Sequence, residues 1–388
     1  MATRSLHVVQ VGWDTALLQA DAPSDSAERQ HLYSELLEAR RPGSRMTIVV
    51  LGADRTALSK RQGGVAVVPV SGRWASIAML PRILAQLNAE RPISVIAPQS
   101  PLEEGWACLA FARGRIPVVA QVHFDMLSDA ALPGGGRLRS GLGQARRRIA
   151  LRLLPSYAGV RTVAPDMAEQ LLALGARVAR AVPVPILDLE ALLASKAQPS
   201  EPRVLFVGRL APEKNLDLWL AVAQRVAALM PDVHYDIVGA GALRPALEGR
   251  ARQLGLDTAV TFHGALPRAA LPDVYRQASV LLLTSNHEGF GRVLVEAMAA
   301  GVPVVSTCTA GAREVLADGG AGILAPVGDV DTLADGVIRM LSNATERAAF
   351  IAAGRRRIAE RYRPQTLAAH WVDMLIEAVE QRSARPPQ

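Results

Sequence analysis

Short runs rich in Val and Ile alternate along the chain with amphipathic stretches of ten or more residues, the pattern of parallel strands crossed by helices. Two such series follow one another. The first predicts strands near 5–12, 46–52, 65–70, 93–97, 117–122, 159–164 and 180–184, with helices at 28–40, 75–90, 103–113, 137–154 and 166–174, and closes with PVPILD. A polar segment carrying two prolines, from Leu193 to Pro202, reads as a linker. The second series restarts at RVLFVG (203–208) and continues with strands near 233–239, 259–263, 279–283, 302–306 and 321–325. From Thr345 to about Val379 the pattern predicts two helices broken at Arg363-Pro364, because proline cannot continue a helix and restricts the residue before it. The division is therefore a first domain over 1–192 and a second over 200–365, with a terminal helix over about 366–388. A chain of 388 residues is long enough for two α/β domains, each with its own core.

Composition narrows the classes. Half of the residues are hydrophobic, yet every apolar run is broken by Arg, Gly or Pro before the roughly 20 residues that a membrane-spanning helix needs. The start, MATRSLHVVQVGWD, enters a strand-like run at once and lacks the apolar core and cleavage site of a secretory signal, which points to the cytoplasm. Cys108 and Cys308 lie far apart in apolar stretches without a ligand-spaced neighbour and read as buried thiols. The net charge of +7 is mild, but the window between Asp129 and Asp166 holds no acid and contains Arg137, Arg139, Arg146, Arg147, Arg148, Arg152 and Arg161. With aromatics at 4% and none interleaved with those arginines, the stacking platforms of a single-strand nucleic-acid binder are missing, and nucleic acid is excluded as a partner.

The most specific feature is HEGFGRVLVEAMAAGVPVV, where Glu288 and Glu296 flank Gly289-Phe290-Gly291 and lead into a helix ending at Gly301-Val302-Pro303. A helix starting near Gly291 presents free N–H groups and the positive end of its dipole to the loop, a site for phosphate oxygens, and glycine lets backbone approach a ligand. Eight helical residues would hold the two carboxylates about 12 Å apart, beyond the roughly 5–9.5 Å of a glycosidase pair. One acid at each end of an elongated ligand with a charged middle suits that spacing, and a nucleotide sugar has that shape. The alternative is a capped surface helix with incidental acids. In VGRLAPEKN (207–215) a buried-type strand ends at Gly208, and Arg209 and Lys214 follow on a loop before a helix. Strand carboxyl ends are where open α/β sheets bind ligands, and two cations there suit a leaving diphosphate. Otherwise they are solvated loop charges.

GRLAPEKN, IVGAG (237–241), FHGAL (262–266), EGFGRVLVEAMAAGVPVV and GAREVLADGGAGILAPVGD together resemble the retaining glycosyltransferases of family 4, closely over about 200–365. The resemblance implies an α/β chain of the GT-B fold, two facing Rossmann-like domains with parallel sheets and a donor cleft between them, with the last helix returning to the first domain. It implies that Glu288 lies near the donor sugar and Glu296 at the ribose. Arg209 and Lys214 would bind the diphosphate, backbone of Phe290 and Gly291 would touch the donor, and Gly208, Gly239 and Gly241 would line the nucleotide cleft. In VVAQVHFDM, His123 falls where similar enzymes aim a histidine at the donor sugar; the plainer reading is a structural histidine at a strand end. The Gly-Gly pair that follows the family's first strand is replaced by VGWDTALL, leaving Gly12 and Trp13 as the acceptor-side candidates, and Ala164 stands where Ser is common.

A retaining transfer follows from that resemblance, from a nucleotide-diphosphate-sugar co-substrate to a hydroxyl of a saccharide or lipid-linked acceptor, in polysaccharide or glycoconjugate assembly, with neither cofactor nor metal. Its rivals are a nucleotide-sugar epimerase or hydrolase of the same fold, and a non-catalytic sugar-nucleotide-binding subunit. Asp329-Val330-Asp331 is formally a metal signature of another transferase fold, but after Gly328 it reads as a helix cap. Between Arg137 and Arg152, Leu138, Leu142, Ala145 and Ile149 share a helical face with Leu153 beyond, beside arginines. That face either docks on an anionic membrane at its inner surface or packs on the core.

Overall fold

A computed structural model describes residues 4–18, 24–54, 59–62, 64–123, 137–195 and 197–384. The chain divides into two compact units, Met1–Leu187 with Pro364–Gln388, and Asp188–Arg363. Both are parallel α/β units.

Unit 1 contains β1 (His7–Gly12), α1 (Asp25–Arg40), β2 (Arg45–Ala53), β3 (Lys60–Gln62), β4 (Val65–Ser71), α2 (Arg73–Glu90) and β5 (Val95–Pro98). It continues with α3 (Glu103–Ala112), β6 (Val119–Val122), α4 (Arg137–Leu153), β7 (Gly159–Thr162), α5 (Pro165–Ala173) and β8 (Ala179–Ala181). The strand order is β3-β4-β2-β1-β5, and a parallel bridge from Ile96 to Val118 leads on to β6-β7-β8. The central strands are buried along their whole length, which is why they read as unbroken apolar runs. Among the described residues only β3 is antiparallel, pairing with β4 at the edge; its sequence, KRQ, carries no hydrophobic signal and the chain pattern does not reveal it.

Unit 2 opens with α6 (Leu189–Ala194) and β9 (Arg203–Val207), followed by α7 (Leu216–Ala227), β10 (His234–Val238), α8 (Arg244–Gln253), β11 (Val260–Gly264), α9 (Leu271–Gln277) and β12 (Val280–Leu283). Then come α10 (Arg292–Ala300), β13 (Val304–Thr307), α11 (Ala310–Val315), β14 (Ile323–Ala325), α12 (Val330–Ser342) and α13 (Ala344–Arg361). The sheet order is β11-β10-β9-β12-β13-β14. Caps delimit the helices: Asn215 for α7, Asp329 for α12 and Asn343 for α13 each accept from a backbone N–H of the first turn. Asp329 is thus the cap read from the sequence.

The boundary moves. The segment read as a linker from Leu193 to Pro202 belongs to unit 2, because α6 buries Leu189 and Leu192 and packs on α10. The amides of Ala197 and Gln198 donate to Ala300 O (3.1 Å) and Arg276 O (2.8 Å), and Arg268 pairs with Asp188. A polar, proline-containing stretch looks like a linker when its partners are backbone carbonyls far away in sequence. The thiols also differ: Cys108 is buried, but Cys308 is exposed where the chain leaves β13.

The helix α14 (Pro364–Ser383) starts at the Arg363-Pro364 break and packs against α1 of unit 1. Trp371, Val372 and Leu375 enter a core with Val8, Ile48 and Val95. Arg161, buried on β7, lies 4.8 Å from the Trp371 ring and donates to the carbonyls of Val182 (2.7 Å) and Pro183 (2.9 Å). Its charge is thereby held by a π face and by backbone dipoles. Trp371→Ala leaves a cavity beneath that guanidinium and should cost unit 1 about 3–5 kcal/mol. Urea unfolding followed by amide exchange in β1 and β2 reads it, and unchanged protection there would refute the assignment of α14 as a core element.

Candidate active site

In unit 2, β9 connects to β10 on one side of the sheet order while β12 adjoins β9 on the other. This is a topological switch point, where an open parallel sheet leaves a crevice at its strand carboxyl ends. The two sequence motifs are the loops that leave these two neighbouring strands, 208–215 after β9 and 284–291 after β12.

Hydrogen bonds stitch the loops together. Thr284 Oγ1 donates to the carbonyls of Lys214 and Asn215, each at 3.0 Å. Asn215 Nδ2 donates to Asn286 Oδ1 at 3.0 Å, and the Asn286 amide to Glu213 O at 2.9 Å. Behind them Thr307 Oγ1 donates to Ser285 O (2.6 Å) and the Gly311 amide to Glu288 O (3.0 Å). The result is that Lys214 Nζ donates to Glu288 Oε2 at 2.6 Å, with both side chains largely buried, and Ser285 Oγ donates to the same oxygen at 3.3 Å. Arg209 differs. It is 79% exposed and, among the described residues, its side chain is bound only to Glu213 (2.6 Å), so its guanidinium is open to solvent.

The helix α10 begins after Gly291, which has φ +82, and ends at Gly301, with φ +77. Both are left-handed positions that suit glycine. Because the helix starts at Arg292, Glu288 lies in the preceding loop and only Glu296 is on the helix, so the 12 Å helical rise does not measure their separation. Glu296 is buried; Tyr275 Oη donates to its Oε2 (2.9 Å) and Arg292 Nε to its Oε1 (2.7 Å). Burial, and then the Glu296 charge, push the Tyr275 phenol well above its ordinary pKa, so it is a fixed donor. Sequence reading missed both partners: Arg292 sits at helical i−4 spacing and was visible, whereas Tyr275 comes from another helix. The ring of Phe290 packs against Tyr362, 5.7 Å between centroids.

The glycines have a structural role beside any ligand. A Cβ on Gly239, whose φ is +144, would stand 1.8 Å from Gly208 O, and one on Gly241 would stand 2.2 Å from Leu210 O. The loops after β9 and β10 therefore pack backbone to backbone.

In unit 1 the equivalent switch lies between β1 and β5. A cavity of about 580 Å³ opens there, lined among others by Trp13, Gly52, Trp74, Gln99, Glu104 and His123. Of the unit 1 candidates Trp13 and His123 meet in it, whereas Gly12 does not line it and is dictated by packing, since a Cβ would overlap the Gln99 side chain at 2.0 Å. Desolvation by the surrounding protein, then the charges of Arg161 and Arg29, hold the His123 pKa below its ordinary value, although the residue keeps an exposed surface. Burial raises the Glu104 pKa, against hydrogen bonds from Ser100 and Trp13. Glu104, in the first turn of α3, was not singled out from the sequence. Of the basic helix, the side chains of Arg137, Leu138, Arg139 and Leu142 lie outside the described residues. Gly143, Ala150 and Leu154 are buried, whereas Ala145 and Ile149 of the apolar face named from the sequence are exposed. Arg146 is bound to Glu103 (2.7 Å) rather than solvated. Among the described residues no group of three or more His, Cys, Asp or Glu has metal-binding geometry, and no helix is long and apolar enough to cross a membrane.

Two family models match, the glycosyl transferases group 1 over residues 192–357 and the glycosyl transferase 4-like domain over 29–186. The phosphatidyl-myo-inositol mannosyltransferase of Mycolicibacterium smegmatis is 32% identical over 306 residues, 76% of this chain and 75% of that one. The 2-deoxystreptamine N-acetyl-D-glucosaminyltransferase of Niallia circulans is 34% identical over 140 residues, 36% of each chain, so this chain matches about a third of that relative's length. Anabaena HepE in complex with UDP-glucose has the same fold, with a TM-score of 0.70 at 20% identity over 97% of this chain and 100% of that one. The class is GT-B, and the chain belongs to the group 1, family 4-type glycosyltransferases.

Gly239→Ala should destabilise unit 2 by about 1–3 kcal/mol through the clash and the left-handed backbone. Gly249→Ala, on α8 with nothing within 4 Å of the added Cβ, should stabilise it by about 0.5–1 kcal/mol. Thermal melting of the two variants tests the contrast, and shifts of the same sign would contradict it.

Proposed function

We propose that the protein is a retaining glycosyltransferase that moves a sugar from a nucleotide-diphosphate-sugar to a hydroxyl of a saccharide or lipid-linked acceptor, in polysaccharide or glycoconjugate assembly. The observation that carries this reading is the joining of the two motif loops at the β9/β12 crevice, with Lys214 on Glu288 and the amino end of α10 beside them. A nucleotide-sugar donor is supported by the UDP-glucose bound to HepE. Exposed Ile149 beside Arg148 and Arg152 favours a lipid-linked acceptor reached at an anionic surface.

In this mechanism the donor diphosphate is received by Arg209, Lys214 and the amides of Arg292 and Val293, which precede the first intrahelical bond of α10. Glu296, already fixed by Tyr275 and Arg292, accepts from ribose hydroxyls, and backbone at Gly208, Gly239, Gly241, Phe290 and Gly291 lines the donor. In unit 2 Glu288 orients the sugar, and the resemblance assigns the same task to His123 of unit 1. The bond from the anomeric carbon to the phosphate oxygen breaks as the acceptor oxygen bonds to the same face, and the acceptor proton passes to the departing phosphate. The work is electrostatic, requires no metal, and needs no acid and base pair.

Lys214→Ala leaves Glu288 unpaired and facing an anionic donor, so it should lower kcat by about 10²–10³. Glu288→Gln keeps the cation and should cost less. Release of nucleoside diphosphate from UDP-, GDP- and ADP-sugars with and without acceptor measures both, and full turnover by Lys214→Ala would overturn the mechanism. Equal donor consumption without acceptor would instead favour the hydrolase or epimerase rival, and no consumption with any donor the non-catalytic subunit. Because its pKa is depressed, His123 is neutral from pH 5 to 8. His123→Ala should therefore lower the rate without altering the shape of the pH profile; loss of a limb near pH 6.5 would show that the ring titrates.

A further inference from the structure

The amino ends of the unit 1 strands form a second basic site, remote from the strand carboxyl ends used above. A cavity of about 840 Å³ lies where the chain enters β1, β5 and β6, closed on one side by the end of α14. Five arginines line it, Arg4, Arg41, Arg91, Arg115 and Arg382, against one carboxylate, Glu380. That carboxylate pairs with Arg41. Arg91 donates to neutral groups, Gly43 O (2.6 Å) and Ser5 Oγ (3.2 Å). Arg4, Arg115 and Arg382 are exposed, and their side chains have no ion pair or hydrogen bond among the described residues. Four other arginines of this unit are matched, Arg29 with Asp25, Arg40 with Asp373, Arg146 with Glu103 and Arg180 with Glu377. Converging unmatched guanidinium groups raise the local potential and are relieved by an anion, and the guanidinium fork fits phosphate.

The floor is apolar. Leu6, Ile93, Ile376 and Val379 lie beneath the arginine rim, and Pro92 and Pro117 flank them. A bare inorganic anion leaves that floor wet, whereas a phosphate joined to a hydrocarbon satisfies rim and floor together, each buried methylene adding to the binding.

We propose that this cavity binds a phosphomonoester amphiphile, the head and upper chains of a phosphatidate-type lipid, at a site separate from sugar transfer. The test is calorimetric titration of the full chain with dihexanoyl phosphatidate, dihexanoyl phosphatidylcholine and inorganic phosphate, the first distinguishing a lipid phosphate from a free one. Expected is saturable binding of the phosphatidate, about tenfold or more tighter than either control. Arg115→Ala/Arg382→Ala, which removes no described side-chain partner, should weaken it about tenfold or more, while Arg250→Ala/Arg252→Ala on α8 of unit 2 should not. Absence of phosphatidate binding, equal binding of inorganic phosphate, or an unchanged affinity in the Arg115/Arg382 variant would each overturn the proposal. Thermal melting of the variants confirms that they are folded before titration.

Discussion

In a parallel sheet every connection leaves from a strand carboxyl end, and where successive connections diverge to opposite sides two neighbouring loops are left facing a gap. That constraint governs unit 2. The β9 and β12 loops are the pair that diverges, and the chain fills the space between them with short polar side chains and tight backbone contacts rather than with apolar packing. Thr284, Asn286 and Asn215 fix the two loops, and only then does Lys214 meet Glu288 across 74 residues of sequence. Gly239 and Gly241 belong to the same device, since the β10 loop must pass against the β9 loop without a Cβ between them.

How much of this was legible in the sequence follows from the range of the forces involved. Strand and helix alternation is local, and the buried runs from RVLFV to VVST stand where the pattern puts them. The start of α10 just after Gly291, the cap at Asp329 and the break at Pro364 are equally local and were readable. Features set by distant partners were not. The chemistry of LEALLA says helix, but only Ala300, Arg276 and the α10 surface say which unit it joins. Tyr275 on Glu296 and the exposure of Cys308 are decided by tertiary placement. The short strand β3 has no pattern of its own and exists because β4 offers an edge.

The two crevices differ in how firmly they are built. In unit 2 Lys214, Asn215, Thr284, Ser285, Asn286 and Glu288 of the motif loops are all partnered, and dipoles fixed in this way need little reorganisation to meet a charge. In unit 1 the corresponding cavity is bordered by Trp74, 64% exposed, and by a partly exposed Trp13. Broad aromatic faces with few fixed hydrogen bonds accommodate shape more than charge.

The same geometry that gathers chemistry at strand carboxyl ends leaves the amino ends free of it. In unit 1 those ends are crowded with arginine, and the terminal helix that completes the core also brings Arg382 to that edge. Pairing accounts for Arg41 through Glu380, but it does not extend to the others at the rim. A cluster of like charges is a cost to the folded unit unless an anion is held there. Burial of Trp371 and stacking on Arg161 fix α14 independently of that edge, so the arginines are not needed to seat the helix. Their concentration around an apolar floor is therefore better explained by a ligand than by folding.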